Sequence, residues 1–182
     1  DGEEEAHLVF SAKLLDKIQP SEKNLLFVDV GGGSTELTLF CDNQPVLSKS
    51  FPIGTVRILL GAEQSENWSN LESWILDHVN ILNGSIAIIG SGGNINKVHK
   101  MSKKSIDESL SANYINEVHG TITKMNRQKR ITSLGLNIDR EDVIIPALEI
   151  FQNILRLTGA NKVYVPKIGL SDGIVRDLYR RK

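Results

Sequence analysis

Residues 27–40, FVDVGGGSTELTLF, set Asp29 and Glu36 on either side of Gly31, Gly32 and Gly33. Glycine inside a regular element costs roughly 0.5–1 kcal/mol against alanine, so a bend that needs one glycine has reason not to carry three. Bared of side chains, consecutive main-chain N–H groups can close around an anion, and phosphate oxygens suit such a concavity. Ser34 and Thr35 add hydroxyl donors at the same rim. Asp29 sits near the end of an apolar run, where an unpaired buried carboxylate is costly and must reach solvent, a partner or a metal. With Glu36 across the bend it offers two oxygen ligands to a hydrated Mg²⁺, a cation that takes one or two carboxylates together with phosphate oxygens. The plainer alternative is a hairpin whose acids are solvated or satisfied locally.

Ser91, Gly92 and Gly93 repeat the device after the apolar run 86–90, IAIIG. Here a strand delivers a small, flexible turn into a helix start, whose free N–H groups and dipole favour an anion. The competing reading is an ordinary strand-to-helix turn capped by Ser91. No GxxxxGK[ST] loop and no GxGxxG spacing occurs, so the two turns are not those nucleotide loops.

The elements that must hold these turns follow from apolar spacing. Residues 25–30, 35–40 and 46–51 read as strands joined by the short connectors GGGS and CDNQP, which favours antiparallel hairpins. Residues 86–90 and 162–166 complete five strands. Helical spacing marks 3–18, 53–62, 67–82, 94–101, 107–126, 139–157 and 171–181, with 127–137 a basic loop or short helix. Hairpin-joined strands followed by strands entered through helical crossovers predict an α/β fold, a mixed five-stranded sheet with helices on both faces. Leu25, Leu26, Phe27, Ile86, Ile88 and Ile89 are the expected core, and Phe51, Trp68 and Trp74 fit packing better than base stacking.

Composition narrows the setting. A chain of 182 residues suits one or two domains, and a net charge of −1 gives no bulk attraction to nucleic acid or to anionic lipid. Cys41 is the single cysteine, which excludes an internal disulfide and a thiolate zinc cage. No apolar segment approaches the ~18 residues of a membrane span, and the start, DGEEEAHL, lacks the pattern of a signal peptide, so a cytoplasmic protein is expected. An initial Asp rather than Met suggests a processed chain or a piece of a longer one. His7, His78, His99 and His119 lack metal spacing and read as partly exposed helix residues. Lys97, His99, Lys100, Lys103 and Lys104 form a basic strip after the second glycine turn, either a solvated helix face or a track for a polyanion. The groups Arg127, Lys129, Arg130 and Arg180, Arg181, Lys182 read as solubilising.

With these motifs in place, the chain resembles the exopolyphosphatase and guanosine-pentaphosphate phosphohydrolase family, a branch of the actin, Hsp70 and sugar-kinase superfamily with an RNase H-like fold. The markers are GEEEAHL at 2–8, VDVGGGSTEL at 28–37, PIGTV at 52–56, GSGG at 90–93, REDVIIP at 140–146 and GLSDG at 169–173. The resemblance implies hydrolysis of a terminal phosphoanhydride of inorganic polyphosphate or of a guanosine penta- or tetraphosphate, assisted by Mg²⁺. It implies an interdomain helix over 1–22 and an RNase H-like phosphate-binding domain over 23–182, the second half of a two-domain enzyme. Its catalytic glutamate maps onto Glu5, its second phosphate loop onto Asp29, Gly31, Gly32, Gly33, Ser34, Thr35 and Glu36, and a further phosphate-side turn onto Ser91, Gly92 and Gly93. Full members carry a further N-terminal domain with a second Asp-x-Gly loop, while this chain has only the loop at Asp29. Gly93 stands where the family commonly has threonine, and the family's GLREG ending appears here as GLSDG. The partners implied are the phosphate substrate, the missing domain and, in a homodimer, a second copy. Two rivals are an ATP-binding kinase or ATPase of the same superfamily and a non-catalytic sensor of polyphosphate or of the guanosine phosphates.

Overall fold

Apolar residues at every position from Asn24 to Val30 but the first and Asp29 mark a strand covered on both faces, and that strand is the centre of the sheet. The computed structural model describes residues 18, 20–42, 44–62, 64–79, 82, 84–136 and 141–166. Among them the strands are β1 (Asn24–Val30), β2 (Thr35–Cys41), β3 (Gln44–Phe51), β4 (Ile86–Ser91), β5 (Leu110–Ser111) and β6 (Lys162–Tyr164). The helices are α1 (Thr55–Leu59), α2 (Ser65–Val79), α3 (Gly93–Ser102), α4 (Ala112–Thr123), α5 (Arg127–Leu134) and α6 (Ile144–Thr158).

The sheet order is β3-β2-β1-β4-β6-β5. The first three strands form antiparallel hairpins, β4 runs parallel to β1, and β6 runs parallel to β4. This is the expected mixed sheet with one strand more. The sixth, Leu110–Ser111, pairs antiparallel with Val163 and Lys162 inside the stretch read as one helix over 107–126. A two-residue strand has no period to detect, and the helix proper begins one residue later, with Ser111 Oγ accepting from the Tyr114 amide at 3.1 Å. The basic stretch 127–137 contains a helix capped by Asn126 and closed by Gly135 at φ 58°. The helix foreseen from 139 starts at Ile144, so Pro146 falls in its first turn, where a missing N–H leaves no bond broken.

Alternation sorts the two faces of the sheet. Leu26, Val28, Val30, Leu37, Leu39 and Ile88 face a large core with Leu71, Ile75, Val98, Ile115 and Phe151 from the helices. Phe51 and Trp74 meet there edge to face, with centroids 5.9 Å apart. Leu25, Phe27, Phe40, Ala87, Ile89 and Tyr164 line the opposite face, where Ile18 is buried against them. The helix read over 3–18 otherwise lies outside the described residues, as does that over 171–181. Of the core foreseen, Ile86 is only half-buried. His99 is fully buried rather than partly exposed, sharing the inward side of α3 with Ile95 and Val98.

Candidate functional site

The carboxyl ends of β1 and β4, neighbouring parallel strands, open into the two glycine turns. Asp29 is the last residue but one of β1, and its register partners are Glu36 on β2 and Ser91 on β4. Strand parity turns all three toward the face that carries Phe27, Ile89 and Ile18. Burial pushes the half-buried Asp29 carboxyl above its ordinary value, the Glu36 charge adds to the rise, and a hydrogen bond with the Ser91 hydroxyl opposes it. Glu36 Oε1 accepts from Ser34 Oγ at 2.5 Å and from Ser50 Oγ at 3.1 Å. Two carboxylates held side by side, one of them desolvated, are a pair that a hard divalent cation would relieve, and their all-oxygen donor set fits Mg²⁺. No group of three or more His, Cys, Asp or Glu suited to a metal occurs among the described residues. Among the described residues, such a shell would draw on these two carboxylates, with further positions for water and phosphate oxygens.

The glycine bend is organised through its carbonyls. Gly31 donates its amide to Ser34 O at 2.9 Å, which closes the hairpin. Gly31 O accepts from the Thr55 amide at 3.0 Å and Gly32 O from the Val56 amide at 2.9 Å, both at the start of α1. Gly33 O accepts from Arg57 Nε at 2.7 Å. In a trans peptide the N–H points opposite to the C=O, so three carbonyls drawn toward α1 turn the amides of Gly32, Gly33 and Ser34 away from it. Those amides have no acceptor among the described residues.

The glycines of the bend do not owe their identity to backbone conformation, since none of the three has a positive φ. A Cβ built on Gly33 meets nothing within 4 Å. Gly54, in contrast, is required by close approach: its Cβ would lie 2.5 Å from the carbonyl carbons of both Gly32 and Gly33. Gly92 is required twice over, by φ 109° and by a Cβ that would lie 2.9 Å from Val30 O.

Each residue expected at the site can now be placed. Ser34 and Thr35 lie at the bend, but Ser34 Oγ is turned to Glu36, and the buried Thr35 Oγ1 donates to Ile53 O at 2.7 Å. Neither hydroxyl stands free at the rim. Ser91 is buried and spends its hydroxyl on Asp29, so it does not cap α3. The cap position is Gly92, with no side-chain bond, and the intrahelical ladder begins at the Asn96 amide on Gly92 O, 3.2 Å. Gly93 is the first, exposed residue of that helix. Glu5 and the GLSDG stretch at 169–173 lie outside the described residues. In the basic strip, Lys97 Nζ donates to Gly135 O at 3.3 Å and Lys104 Nζ to Ser109 O at 2.7 Å. Sequence reasoning passed over Arg57 and the packing role of Gly54; a short helix start with one basic residue, just after a Pro-Ile-Gly-Thr turn, was the available signal.

Comparisons with known proteins bear on the family and the fold. The model of the Ppx/GppA phosphatase family matches residues 1–182. A protein of Haemophilus influenzae named "Putative exopolyphosphatase" is 26% identical over 192 residues, which cover 97% of this chain and 56% of that protein. A "Bifunctional 3-dehydroquinate synthase/phosphatase" of Fusobacterium nucleatum is 27% identical over 90% of this chain and 27% of its own length. Among solved structures, an exopolyphosphatase from Cytophaga hutchinsonii superposes with a TM-score of 0.74 at 19% identity, covering 99% of this chain and 64% of that one. The Ppx/GppA family member of Aquifex aeolicus gives 0.72 at 18% identity, covering 98% and 63%. The sheet and its helices are therefore of the actin-like ATPase, RNase H-like fold. The chain spans 56% of the length of the Haemophilus relative.

Proposed function

From the premise that the chain belongs to the Ppx/GppA phosphatase family, we propose that it is one half of a phosphoanhydride hydrolase acting on the end of inorganic polyphosphate. The carrying observation is the row of amides at Gly32, Gly33 and Ser34, turned outward beside the paired carboxylates of Asp29 and Glu36. Such a row fits the non-bridging oxygens of a phosphoryl group and costs no reorganisation when charge builds up on them. The amides at the start of α3, beside Asp29, would add donors for a neighbouring phosphate. Asp29 and Glu36 would hold Mg²⁺, which when bound neutralises charge on the phosphate oxygens.

In this reading water attacks the terminal phosphorus in line, the bridging P–O bond breaks, and the shortened chain leaves with its oxygen charged. Glu5 takes the proton of the attacking water, which requires its carboxylate ionised and within hydrogen-bond reach. The reading includes a further domain supplying a second phosphate loop, and a guanosine pentaphosphate as a second substrate of the same end-group chemistry. It also takes the setting to be cytoplasmic, in keeping with a free Cys41 and the absence, among the described residues, of a helix long and apolar enough to cross a membrane.

The test is phosphate release by a chain as long as its relatives, with polyphosphate, the guanosine pentaphosphate and ATP assayed in parallel. Release from polyphosphate that falls at least a hundredfold in Glu5→Gln, with substrate binding retained, is the expected result. Preference for ATP would favour the kinase or ATPase reading, and tight binding without release would favour a sensor.

A further inference from the structure

Four hydrogen bonds hold the carbonyls of the bend, and they differ in kind. Three come from main-chain donors, Thr55 N to Gly31 O and both Val56 N and Arg57 N to Gly32 O, which no substitution removes short of proline. The fourth comes from a side chain, Arg57 Nε to Gly33 O at 2.7 Å. The peptide it holds is the one of the three whose oxygen has no main-chain donor among the described residues. It joins Gly33, whose missing Cβ faces open space, to Ser34; Gly54 packs against its carbonyl carbon, and Arg57 supplies the hydrogen bond that fixes the direction of its oxygen. A half-turn of that plane would replace the outward Ser34 amide by the Gly33 carbonyl oxygen, a donor to an anion replaced by a dipole that repels it.

The fold itself has little use for this bond. Arg57 is exposed, whereas α1 is seated through Ile53, buried in the core just ahead of it, and through half-buried Ile58 packed against that core. We propose that Arg57 is a positioning residue for phosphate recognition: its Nε–H pins the Gly33–Ser34 peptide so that the Ser34 amide faces the ligand. The inference deepens the reading of the bend as a phosphate cradle and rests on it.

Glutamine carries Nε2 at the place along the side chain where arginine carries Nε, so Arg57→Gln keeps the donor and loses the charge. Arg57→Met keeps most of the length and loses both. Inorganic tripolyphosphate with Mg²⁺ is titrated calorimetrically into the full chain, with urea midpoints measured beside it. Arg57→Met should weaken binding about tenfold, the size of one lost hydrogen bond, while Arg57→Gln stays within about threefold of the parent and all three chains keep the same midpoint. Equal losses in both variants would overturn the positioning role in favour of plain charge attraction. Unchanged binding in Arg57→Met would overturn it outright while leaving the cradle standing. A parent chain that binds no tripolyphosphate would instead remove the cradle, and the role of Arg57 with it.

Discussion

Gly54 presses its bare Cα against the peptide planes of Gly32 and Gly33 so closely that a methyl group there would lie 2.5 Å from both carbonyl carbons. Its backbone is extended, φ −141° and ψ 160°, so proximity rather than conformation demands the glycine. This contact sets the distance from α1 to the bend, and with it the carbonyl bonds that turn the amides outward.

Gly54→Ala should therefore cost about 1–3 kcal/mol by overpacking and also displace the bend from α1. Gly33→Ala separates the two effects, because its Cβ meets no neighbour and its backbone is ordinary. Stability should hold or rise by up to about 1 kcal/mol, through a less flexible unfolded chain, while tripolyphosphate affinity falls. Urea unfolding and calorimetry on both variants check the contrast. Equal affinity in Gly33→Ala and the parent would remove the cradle.

Asp29 carries a cost that the proposed cation site would explain. Burial and the Glu36 charge both disfavour its ionised form, so Asp29→Asn should stabilise the metal-free protein at neutral pH, on the order of 1 kcal/mol. The same change should weaken Mg²⁺-dependent binding of tripolyphosphate by roughly tenfold or more, since the cation loses one of its two protein ligands. Unfolding in EDTA and titration with and without Mg²⁺ measure the two halves.

Glu141 is buried between two arginines of unequal standing. Its carboxylate meets Arg130 Nη2 at 3.0 Å and Arg127 Nε at 2.6 Å, with side-chain exposures of 16% and 64% for the two arginines and 3% for Glu141. Arg130 also donates to Met125 O at 3.0 Å, just ahead of its own helix, while its bond to Glu141 ties α5 to the approach of α6. Arg130→Met should cost about 1–3 kcal/mol by leaving the buried carboxylate with the exposed Arg127 as its remaining arginine partner, and Arg127→Ala no more than about 1 kcal/mol. Denaturant midpoints of the two variants decide it.

Glu22 provides a pH signature away from the site. Partial burial works to raise its carboxyl, but bonds from the Lys162 ammonium, at 2.7 Å, from its own backbone and from the Ser21 hydroxyl outweigh it, so the group lies below its usual value of 4.5. A folded value below the unfolded one adds stability that is complete above the unfolded value and lost as pH falls through the folded one. Glu22→Gln should thus be less stable than the parent at about pH 6, with the gap closing below 4.5. A gap constant between about pH 6 and about pH 3 would show that the bond with Lys162 adds nothing through charge.

Much of this was legible in the chain because the sheet is built from local patterns. The apolar runs in β1 and β4 announced strands buried on both faces, and the glycine groups after them announced the turns. The edge strand Leu110–Ser111 was not legible, since two residues show no alternation and their pairing depends on Val163 and Lys162, some fifty residues away. His99 was misplaced because a histidine reads as surface by type. Ile95 and Val98, with which it shares the inward side of α3, decide otherwise. The hydroxyls of Ser34 and Thr35, expected at the rim, and of Ser91, expected in the second glycine turn, are directed by parity and local geometry to Glu36, Ile53 O and Asp29.

By itself the sequence determined where the chain bends, which strands lie inside, and that carboxylates flank bared backbone, because glycine freedom and alternation act over a few residues. Only the tertiary structure decided which backbone groups remain available to a ligand. The donors that occupy the carbonyls of Gly31, Gly32 and Gly33 come from Thr55, Val56 and Arg57, more than twenty positions downstream. Peptide planarity then converts those distant bonds into the outward direction of the amides, a direction no pattern within the bend contains.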